Sequence, residues 1–293
     1  MKSIAELAAS EQPTFSFEFF PPSDQAGLEQ LVATATQLEP LAPDFVSVTY
    51  GASGSSQERT LVATRLLAAR TSLPIIGHLT CTGQTTDQLR RVLDDYAAAG
   101  VKTILAIRGD SPKGLTQPWQ PAAGGLSNAT ELVALIKSHG DFEVGVAAFP
   151  DGHPAGNFEL DIQILIDKVA AGAAFAITQL FFTPARYDEL LLRLHSAGVN
   201  LPVIAGLMPI TKLSQVARFA ELSGAPMPAT LVNRLTRLGD DALAVRDEGA
   251  QIGLELAQDL LGRGVAGLHF YTQNRSGVTR EILASLLADR NRG

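Results

Sequence analysis

The sequence predicts an α/β fold in which eight parallel strands close into a (β/α)8 TIM barrel. Short runs rich in β-branched and aromatic residues alternate with segments of helical spacing, which is typical of a parallel sheet,. Eight such units in 293 residues match the size of this barrel,. No shift in composition marks a boundary, so we expect a single catalytic domain over residues 1–293,.

The strands are predicted from the start of the chain onwards. The first begins at Phe15 and is ended by Pro21 and Pro22, because proline cannot donate to a strand ladder,. The predicted strands are 15–20, 45–50, 74–80, 103–109, 143–149, 175–182, 202–208 and 267–272. An open doubly wound sheet is the main alternative. The chain has no G-x-G-x-x-G run after its first strand and no P-loop, so we favour the barrel,.

The segments between the strands show helical spacing. After the third strand, apolar residues recur at intervals of three and four, at Leu89, Val92, Leu93 and Tyr96,. Two insertions lengthen the pattern. Ser111 to Leu126 contains the single tryptophan, Trp119, and both a lid and a variable surface loop fit this segment,. Ile210 to Gly264, between the last two strands, predicts extra helices,.

Composition excludes several functional classes. The net charge of −7 and the dispersed basic residues argue against a nucleic-acid surface,. A single cysteine, Cys81, excludes an internal disulfide and a structural zinc site,. The chain begins without a signal-peptide pattern, and no apolar run reaches the roughly 18 residues that span a bilayer,. We therefore expect a cytoplasmic globular protein without a membrane partner. The sequence does not indicate its oligomeric state.

Polar residues at the C-terminal ends of the strands are the candidate site residues, because active sites of this fold lie there. Such residues follow or end seven of the predicted strands, at Glu18, Thr49, His78, Arg108, Asp110, His153, Gln179, Tyr271 and Arg275. Structural hydrogen-bonding residues at loop boundaries are the alternative. We predict no metal site, since Arg108 would oppose a bound cation. Without a lysine at a strand end, a Schiff base is excluded. The remaining groups fit a polar heterocycle whose phosphates or carboxylates are held by cations.

Glu18 is the most informative of these candidates. It lies among four phenylalanines, and such surroundings are expected to desolvate the carboxylate. Desolvation raises the pKa of a carboxyl group toward the range of a general acid. The alternative is a carboxylate that pairs with Arg or Lys and only closes the strand.

Six motifs, in order and at barrel spacing, resemble one known family. They are Phe17-Glu18-Phe19-Phe20-Pro21-Pro22, Val46-Ser47-Val48-Thr49-Tyr50-Gly51, His78-Leu79-Thr80, Arg108-Gly109-Asp110, Ile177-Thr178-Gln179 and His269-Phe270-Tyr271-Thr272 with Asn274-Arg275. The chain resembles bacterial methylenetetrahydrofolate reductase from Phe15 to about Leu287. The resemblance implies a barrel enzyme of one-carbon metabolism and methionine biosynthesis. Such an enzyme reduces 5,10-methylenetetrahydrofolate to 5-methyltetrahydrofolate with NAD(P)H through a bound FAD, and NADH is the favoured donor.

The resemblance also implies roles for single residues. Glu18 corresponds to the acid that protonates the folate, and Asp110 to the carboxylate that holds the pterin and stabilises the iminium cation. The implied folate-binding residues are Gln179, Tyr271, Arg275 and Thr49. The implied FAD contacts are Thr49, His78, Arg108, Ala148, Phe149, His153, Asp161 and Lys168.

Three positions near the implied flavin depart from the family pattern. Phe149 stands where a tyrosine is typical, and Ile164 stands where an asparagine contacts FAD. Asp167, beside Lys168, replaces a basic residue and would place negative charge near a diphosphate,. These changes suggest a second hypothesis, in which flavin binding is weak or absent and NAD(P)H passes its hydride directly to the iminium carbon.

Two other classes of protein stay open on sequence grounds. One is a different barrel oxidoreductase, such as a flavin-dependent dehydrogenase of amino acids. The other is a folate-binding protein without catalysis, for which the presence of both Glu18 and Asp110 would be hard to explain.

Overall fold

A closed barrel of eight parallel strands forms the centre of the protein. The computed structural model describes residues 2–50, 54–110, 119–154, 156–275 and 277–290. The strands pair in chain order and the eighth pairs with the first, so the predicted barrel is confirmed. The strands are β1 (Thr14–Phe19), β2 (Phe45–Val48), β3 (Ile75–Thr80), β4 (Thr103–Ile107), β5 (Glu143–Ala148), β6 (Phe175–Thr178), β7 (Val203–Leu207) and β8 (Gly267–Tyr271).

Most strands end earlier than the sequence predicts. The largest difference is in β6, which ends at Thr178 rather than at residue 182. The residues beyond these ends leave the ladder and form the loops at the C-terminal rim. Gln179 is therefore the first residue after β6, although its backbone N–H still donates to the carbonyl of Ala148 at 2.8 Å.

Helices alternate with the strands along the chain, and most of them cover the outer face of the barrel. They are α1 (Ile4–Ala8), α2 (Gln25–Leu38), α3 (Gly54–Arg70), α4 (Thr86–Ala98), α5 (Ala129–His139), α6 (Phe158–Ala170), α7 (Pro184–Ser196), α8 (Leu213–Ser223), α9 (Ala229–Thr236), α10 (Ala242–Gly262) and α11 (Gly277–Arg290), with a short 3-10 helix at Glu39–Leu41. No helix in the described ranges is long and apolar enough to cross a membrane.

The two predicted insertions have different outcomes. Helices α8, α9 and α10 lie between β7 and β8, as expected, and they enclose a second apolar core that includes Leu231 and Ile252. Of the long loop, residues 111–118 lie outside the described residues. The rest, from Trp119 to Leu126, forms turns without helix or strand, and both of these residues pack against the main core.

The short helix α1 was not predicted from the sequence. Its residues Ile4 and Ala8 belong to an apolar cluster with inward-facing strand residues such as Phe45, Ile76 and Phe175. The helix thus packs against the lower layer of the barrel. A five-residue helix has too few apolar residues to give a recognisable period,.

A strand carboxylate holds α1 in place. Glu143, the first residue of β5, accepts hydrogen bonds from the backbone N–H groups of Ile4 at 2.9 Å and Ala5 at 2.8 Å. It also accepts one from the hydroxyl of Thr103 at 3.1 Å. The first N–H groups of a helix lack partners within the helix, so the carboxylate acts as its cap.

We expect Glu143→Ala to lower the free energy of unfolding by about 1–2 kcal/mol, because two helix N–H groups lose their acceptor. Urea unfolding of the variant and the wild type measures the difference. Glu11→Ala, at an exposed position, is the matched control and should change little,. An unchanged urea midpoint in Glu143→Ala would contradict this account of the cap.

Candidate active site

Glu18 lies inside the barrel, but its surroundings differ from the predicted ones. The residue is 7% exposed, so the expected burial is confirmed. The neighbouring Phe17 and Phe19 join the core between the strands and helices, together with Leu31 of α2. Successive side chains of a strand point to opposite faces, and Glu18 therefore faces away from these rings. The prediction that phenylalanines desolvate Glu18 was wrong.

Two buried imidazoles contact Glu18 instead. Glu18 Oε2 lies 3.6 Å from His78 Nε2 and 3.5 Å from His269 Nε2. His269 is fully buried and its Nδ1 lies 2.8 Å from the hydroxyl of Ser16, which faces inward from β1. The Glu18 carbonyl accepts a hydrogen bond of 2.6 Å from the Thr272 hydroxyl. These contacts fix both the backbone and the carboxyl group of Glu18.

His78 is neutral at ordinary pH. Burial lowers the pKa of His78 from 6.5 to about 4, although the Glu18 carboxylate opposes the shift. Its Nε2 has no hydrogen-bond partner among the described residues. A neutral imidazole beside Glu18 can donate or accept one hydrogen bond without placing a positive charge there.

The depressed pKa of His78 makes the fold sensitive to acid. The unfolded chain takes up this proton near pH 6.5, whereas the folded protein takes it up only near pH 4. The free energy of unfolding therefore falls as pH is lowered through this window, and the contribution is fully present above pH 6.5. We expect His78→Gln to flatten this fall, measured by urea unfolding between pH 4 and 7.5. His195→Gln, at an exposed position, is the control; equal slopes in all three proteins would contradict the assignment.

Tyr271 and Gln179 lie on the β6 and β8 side of the mouth. The Tyr271 hydroxyl donates to the carbonyl of Thr178, and burial raises the pKa of Tyr271 well above its usual value. The phenol thus stays protonated. Gly206 of β7 makes room for it, because a Cβ there would lie 2.6 Å from the Tyr271 hydroxyl. Gln179 Oε1 accepts from the Leu180 N–H at 2.8 Å, which leaves its amide N–H groups without a partner among the described residues.

The turn after β4 carries Arg108 and Asp110. Gly109 between them has a φ of +84°, a left-handed conformation that glycine adopts without strain,. The Arg108 carbonyl accepts from the Thr82 hydroxyl at 2.9 Å and from Cys81 Sγ at 3.2 Å. Asp110 is exposed at the rim, in contrast to the buried Glu18. The two carboxylates therefore occupy different environments.

Two cationic groups, Arg108 and Lys168, and the imidazole of His153 gather beside this turn. The pKa of Lys168 is lowered to about 8, mainly by burial; Asp161 opposes this shift and the neighbouring Arg108 adds to it. Burial also lowers the pKa of His153, and so do Arg108 and Lys168. Asp161 accepts from the His153 backbone N–H at 2.7 Å, and Lys168 Nζ donates to the Ala147 carbonyl at 3.1 Å. Arg108 and Lys168 are the cations of this cluster, whereas the His153 ring is mostly neutral at pH 7, and the carboxylates of Asp161 and Asp110 both raise the pKa of His153. Two cations beside an imidazole that can donate a hydrogen bond provide groups that can bind an anion.

Arg275 lies apart from these groups, on the outer side of the rim. It is exposed and lines a cavity of about 530 Å³ near the start of α2. Asn274 fixes this loop to the end of β1, since its side chain accepts from the Phe20 N–H and donates to the Phe20 carbonyl, both at 2.8 Å. Thr49 is half-buried after β2, and its backbone N–H donates to the Phe19 carbonyl at 2.9 Å.

Comparison with known proteins agrees with this geometry. A family model described as methylenetetrahydrofolate reductase matches residues 3–287. The chain belongs to the methylenetetrahydrofolate reductase family. Membership makes it an oxidoreductase of folate-dependent one-carbon metabolism.

Individual members of the methylenetetrahydrofolate reductase family are similar along nearly the whole chain. The 5,10-methylenetetrahydrofolate reductase of Escherichia coli K12 is 37% identical over 286 residues, which cover 97% of this chain and 94% of that protein. Methylenetetrahydrofolate reductase 1 of Schizosaccharomyces pombe is 32% identical over 96% of this chain, but the match spans only 47% of the yeast protein.

A solved structure supports the fold alone. An uncharacterised protein from Clostridium thermocellum, which binds two copies of 5-methyl-5,6,7,8-tetrahydrofolic acid, superposes with a TM-score of 0.66. The two chains are 17% identical, and the match covers 97% of this chain and 96% of the other.

The three positions that depart from the reductase family pattern have different surroundings in the structure. Phe149 packs edge-on against the His153 ring at 5.0 Å and Ile164 is half-buried, so neither position offers a polar side-chain group. Asp167 is exposed and accepts from Gln163 Nε2 at 2.9 Å, on the outward face of α6. Its negative charge would therefore repel a diphosphate less than the sequence suggested.

Sequence reasoning missed the contacts that His269 makes with Glu18 and Trp119 makes with Arg108. A search for polar residues at the C-terminal ends of the strands does not find either residue. The signal for His269 was alternation, because β8 has polar residues at 269 and 271 just as β1 has Ser16 and Glu18. Trp119 gave no positional signal beyond being the single tryptophan.

Proposed function

We propose that the chain reduces 5,10-methylenetetrahydrofolate to 5-methyltetrahydrofolate with NAD(P)H, and that Glu18 is the general acid of this reaction. The observation that carries the proposal is the buried Glu18 carboxyl group, placed inside the barrel beside the neutral His78. A general acid needs a fixed position with little water around it, which this setting provides.

The reaction requires one proton and one hydride. Opening the imidazolidine ring breaks the bond between N10 and the methylene carbon, and N10 takes up the proton that Glu18 donates. The carbon that stays on N5 becomes an iminium cation, and the hydride converts it into the methyl group. Glu18 returns to its protonated form by taking a proton from solvent after the product leaves.

Other residues of the rim bind the folate and its developing charge. The carboxylate of Asp110 stabilises the iminium cation by electrostatic attraction. The unpaired amide N–H groups of Gln179 bind the pterin edge, next to the Tyr271 ring. Arg275, in its outer cavity, binds a carboxylate of the glutamyl part of the folate.

The cluster of Arg108, His153 and Lys168 fits the diphosphate of a dinucleotide. Both NAD(P)H and FAD contain this group, so the cationic donors suit either of them. A bound nicotinamide dinucleotide supplies the hydride, directly or through a flavin. The apolar Phe149 and Ile164 favour the direct route, because a flavin ring would find fewer polar partners there.

Anaerobic turnover with methylenetetrahydrofolate and NADH, with and without added FAD, tests the proposal. We expect folate-dependent oxidation of NADH, whereas its absence would favour a different barrel oxidoreductase or a non-catalytic folate-binding protein. An absorbance scan of the purified protein tests the direct route. Stoichiometric FAD in that scan would overturn the direct route but not the reductase activity.

The pKa of Lys168 predicts how dinucleotide binding depends on pH. With a pKa of about 8, Lys168 is charged at pH 7 and loses its charge as pH rises through 8. We expect the KM for NADH to rise about tenfold between pH 7 and 9.5, since a charge-assisted contact is lost. Lys168→Arg should flatten this rise and Lys168→Met should show a high KM throughout. A flat profile in the wild type would contradict the role of Lys168.

A further inference from the structure

The single tryptophan covers the arginine of the anion site. The Arg108 guanidinium carbon lies 5.5 Å from the centroid of the Trp119 ring, within the range of a cation–π contact,. The Trp119 indole N–H donates to the Thr82 hydroxyl at 3.3 Å. This hydrogen bond joins the described part of the long loop to the segment that follows β3.

Thr82 links the backbone of Arg108 to the ring above its side chain. Its buried hydroxyl donates to the Arg108 carbonyl at 2.9 Å while it accepts from Trp119. The fit is close, because a Cβ at Gly109 would lie 2.4 Å from this hydroxyl oxygen. The backbone and the guanidinium of Arg108 are thus held by one connected pair of side chains.

Arg108 needs such support because a neighbouring cation repels it. Lys168 is close enough to Arg108 for its pKa to be lowered by the guanidinium. Before an anion binds, this repulsion would push the flexible arginine toward solvent. The electron-rich face of an indole ring attracts a guanidinium and leaves its in-plane N–H groups open to an anion.

We infer that Trp119 and Thr82 are positioning residues that hold Arg108 ready for the diphosphate group of the dinucleotide. The inference rests on the proposed function, since it assigns the anion to a dinucleotide. The two residues act through Arg108 and take no part in the chemical step. Their loss weakens dinucleotide binding while folate binding and the rate at saturation are kept.

Steady-state kinetics of the reductase test the inference by separating KM from kcat. We expect Trp119→Leu and Thr82→Val each to raise the KM for NADH about fivefold, with kcat and the KM for folate unchanged. Thr82→Ser keeps the hydroxyl and should retain the wild-type KM. The double variant Trp119→Leu/Thr82→Val should be no weaker than the weaker single variant, because both act on one contact.

Leu126→Ala is the matched control for lost packing in the same segment, since Leu126 packs against the core as Trp119 does. It should leave the KM for NADH unchanged. The inference is overturned if Trp119→Leu and Thr82→Val keep the wild-type KM for NADH. It is also overturned if their kcat and both KM values change together, as in a general loss of structure.

A binding measurement separates this inference from the proposed function. Trp119 is the single tryptophan, so the tryptophan emission of the protein comes from the residue beside Arg108. We expect inorganic pyrophosphate to change the emission saturably in the wild type, and calorimetry to show about fivefold weaker binding in Trp119→Leu and Thr82→Val. A wild type without folate-dependent NADH oxidation would overturn the proposed function, yet this titration would still test the positioning role. Unchanged emission, or equal pyrophosphate affinity in all variants, would overturn that role.

Discussion

Glu18→Gln is expected to lower kcat for methylenetetrahydrofolate reduction by about 10²–10⁴-fold, the usual contribution of a general acid. The amide keeps the size and the hydrogen-bonding capacity of the carboxyl group but has no acidic proton to donate. The contacts with His78 and His269, at 3.6 and 3.5 Å, need no rearrangement to accept it. Folate and NADH should therefore still bind. Rapid-mixing measurement of NADH oxidation at saturating folate gives the rate.

Glu11→Gln, at an exposed position, provides the matched control and should turn over like the wild type. If Glu18→Gln also kept the wild-type rate while folate bound, the acid would have to be another group. If folate no longer bound, the loss would report on binding and not on proton transfer. Equilibrium titration with 5-methyltetrahydrofolate shows whether folate still binds, and so separates a loss of proton transfer from a loss of binding.

Asp110→Asn is expected to lower kcat by about 10²-fold through lost stabilisation of the iminium cation. The free energy of unfolding should hardly change, since Asp110 is exposed and its backbone carbonyl contacts the Thr82 hydroxyl. Turnover and urea unfolding are measured on the same preparation. Asp141→Asn, also exposed, is the control for removing one surface charge. An active Asp110→Asn variant, or one that is inactive because it has unfolded, would contradict the electrostatic role.

The barrel could be predicted because its signals are local. Each β/α unit repeats a strand run and a helical period within a few tens of residues, and the number of units sets the closure. The rim residues followed from the same rule, since strand ends of a parallel barrel lie on one side. His78 does lie beside Glu18, and Arg108, His153 and Lys168 do lie close to one another.

The environment of Glu18 could not be predicted in the same way. Its neighbours in sequence are phenylalanines that face the helices, whereas its contact with His269 joins residues 251 positions apart. The support of Arg108 by Trp119 and Thr82 likewise depends on where a loop returns to the barrel. Neither contact produces a periodic pattern in the sequence.

The sequence by itself determined that eight strands would form a barrel with acidic, amide and cationic groups at one rim, and its motifs indicated a folate reductase. Only the tertiary structure decided what each of these groups touches. The physical reason lies in the alternation of strand side chains. Glu18 shares its strand with phenylalanines, but closure of the barrel places its carboxyl group beside two buried imidazoles, His78 of β3 and His269 of β8. The buried glutamate and His78 at the same rim were readable from the chain, whereas the contact of Glu18 with His269 was not.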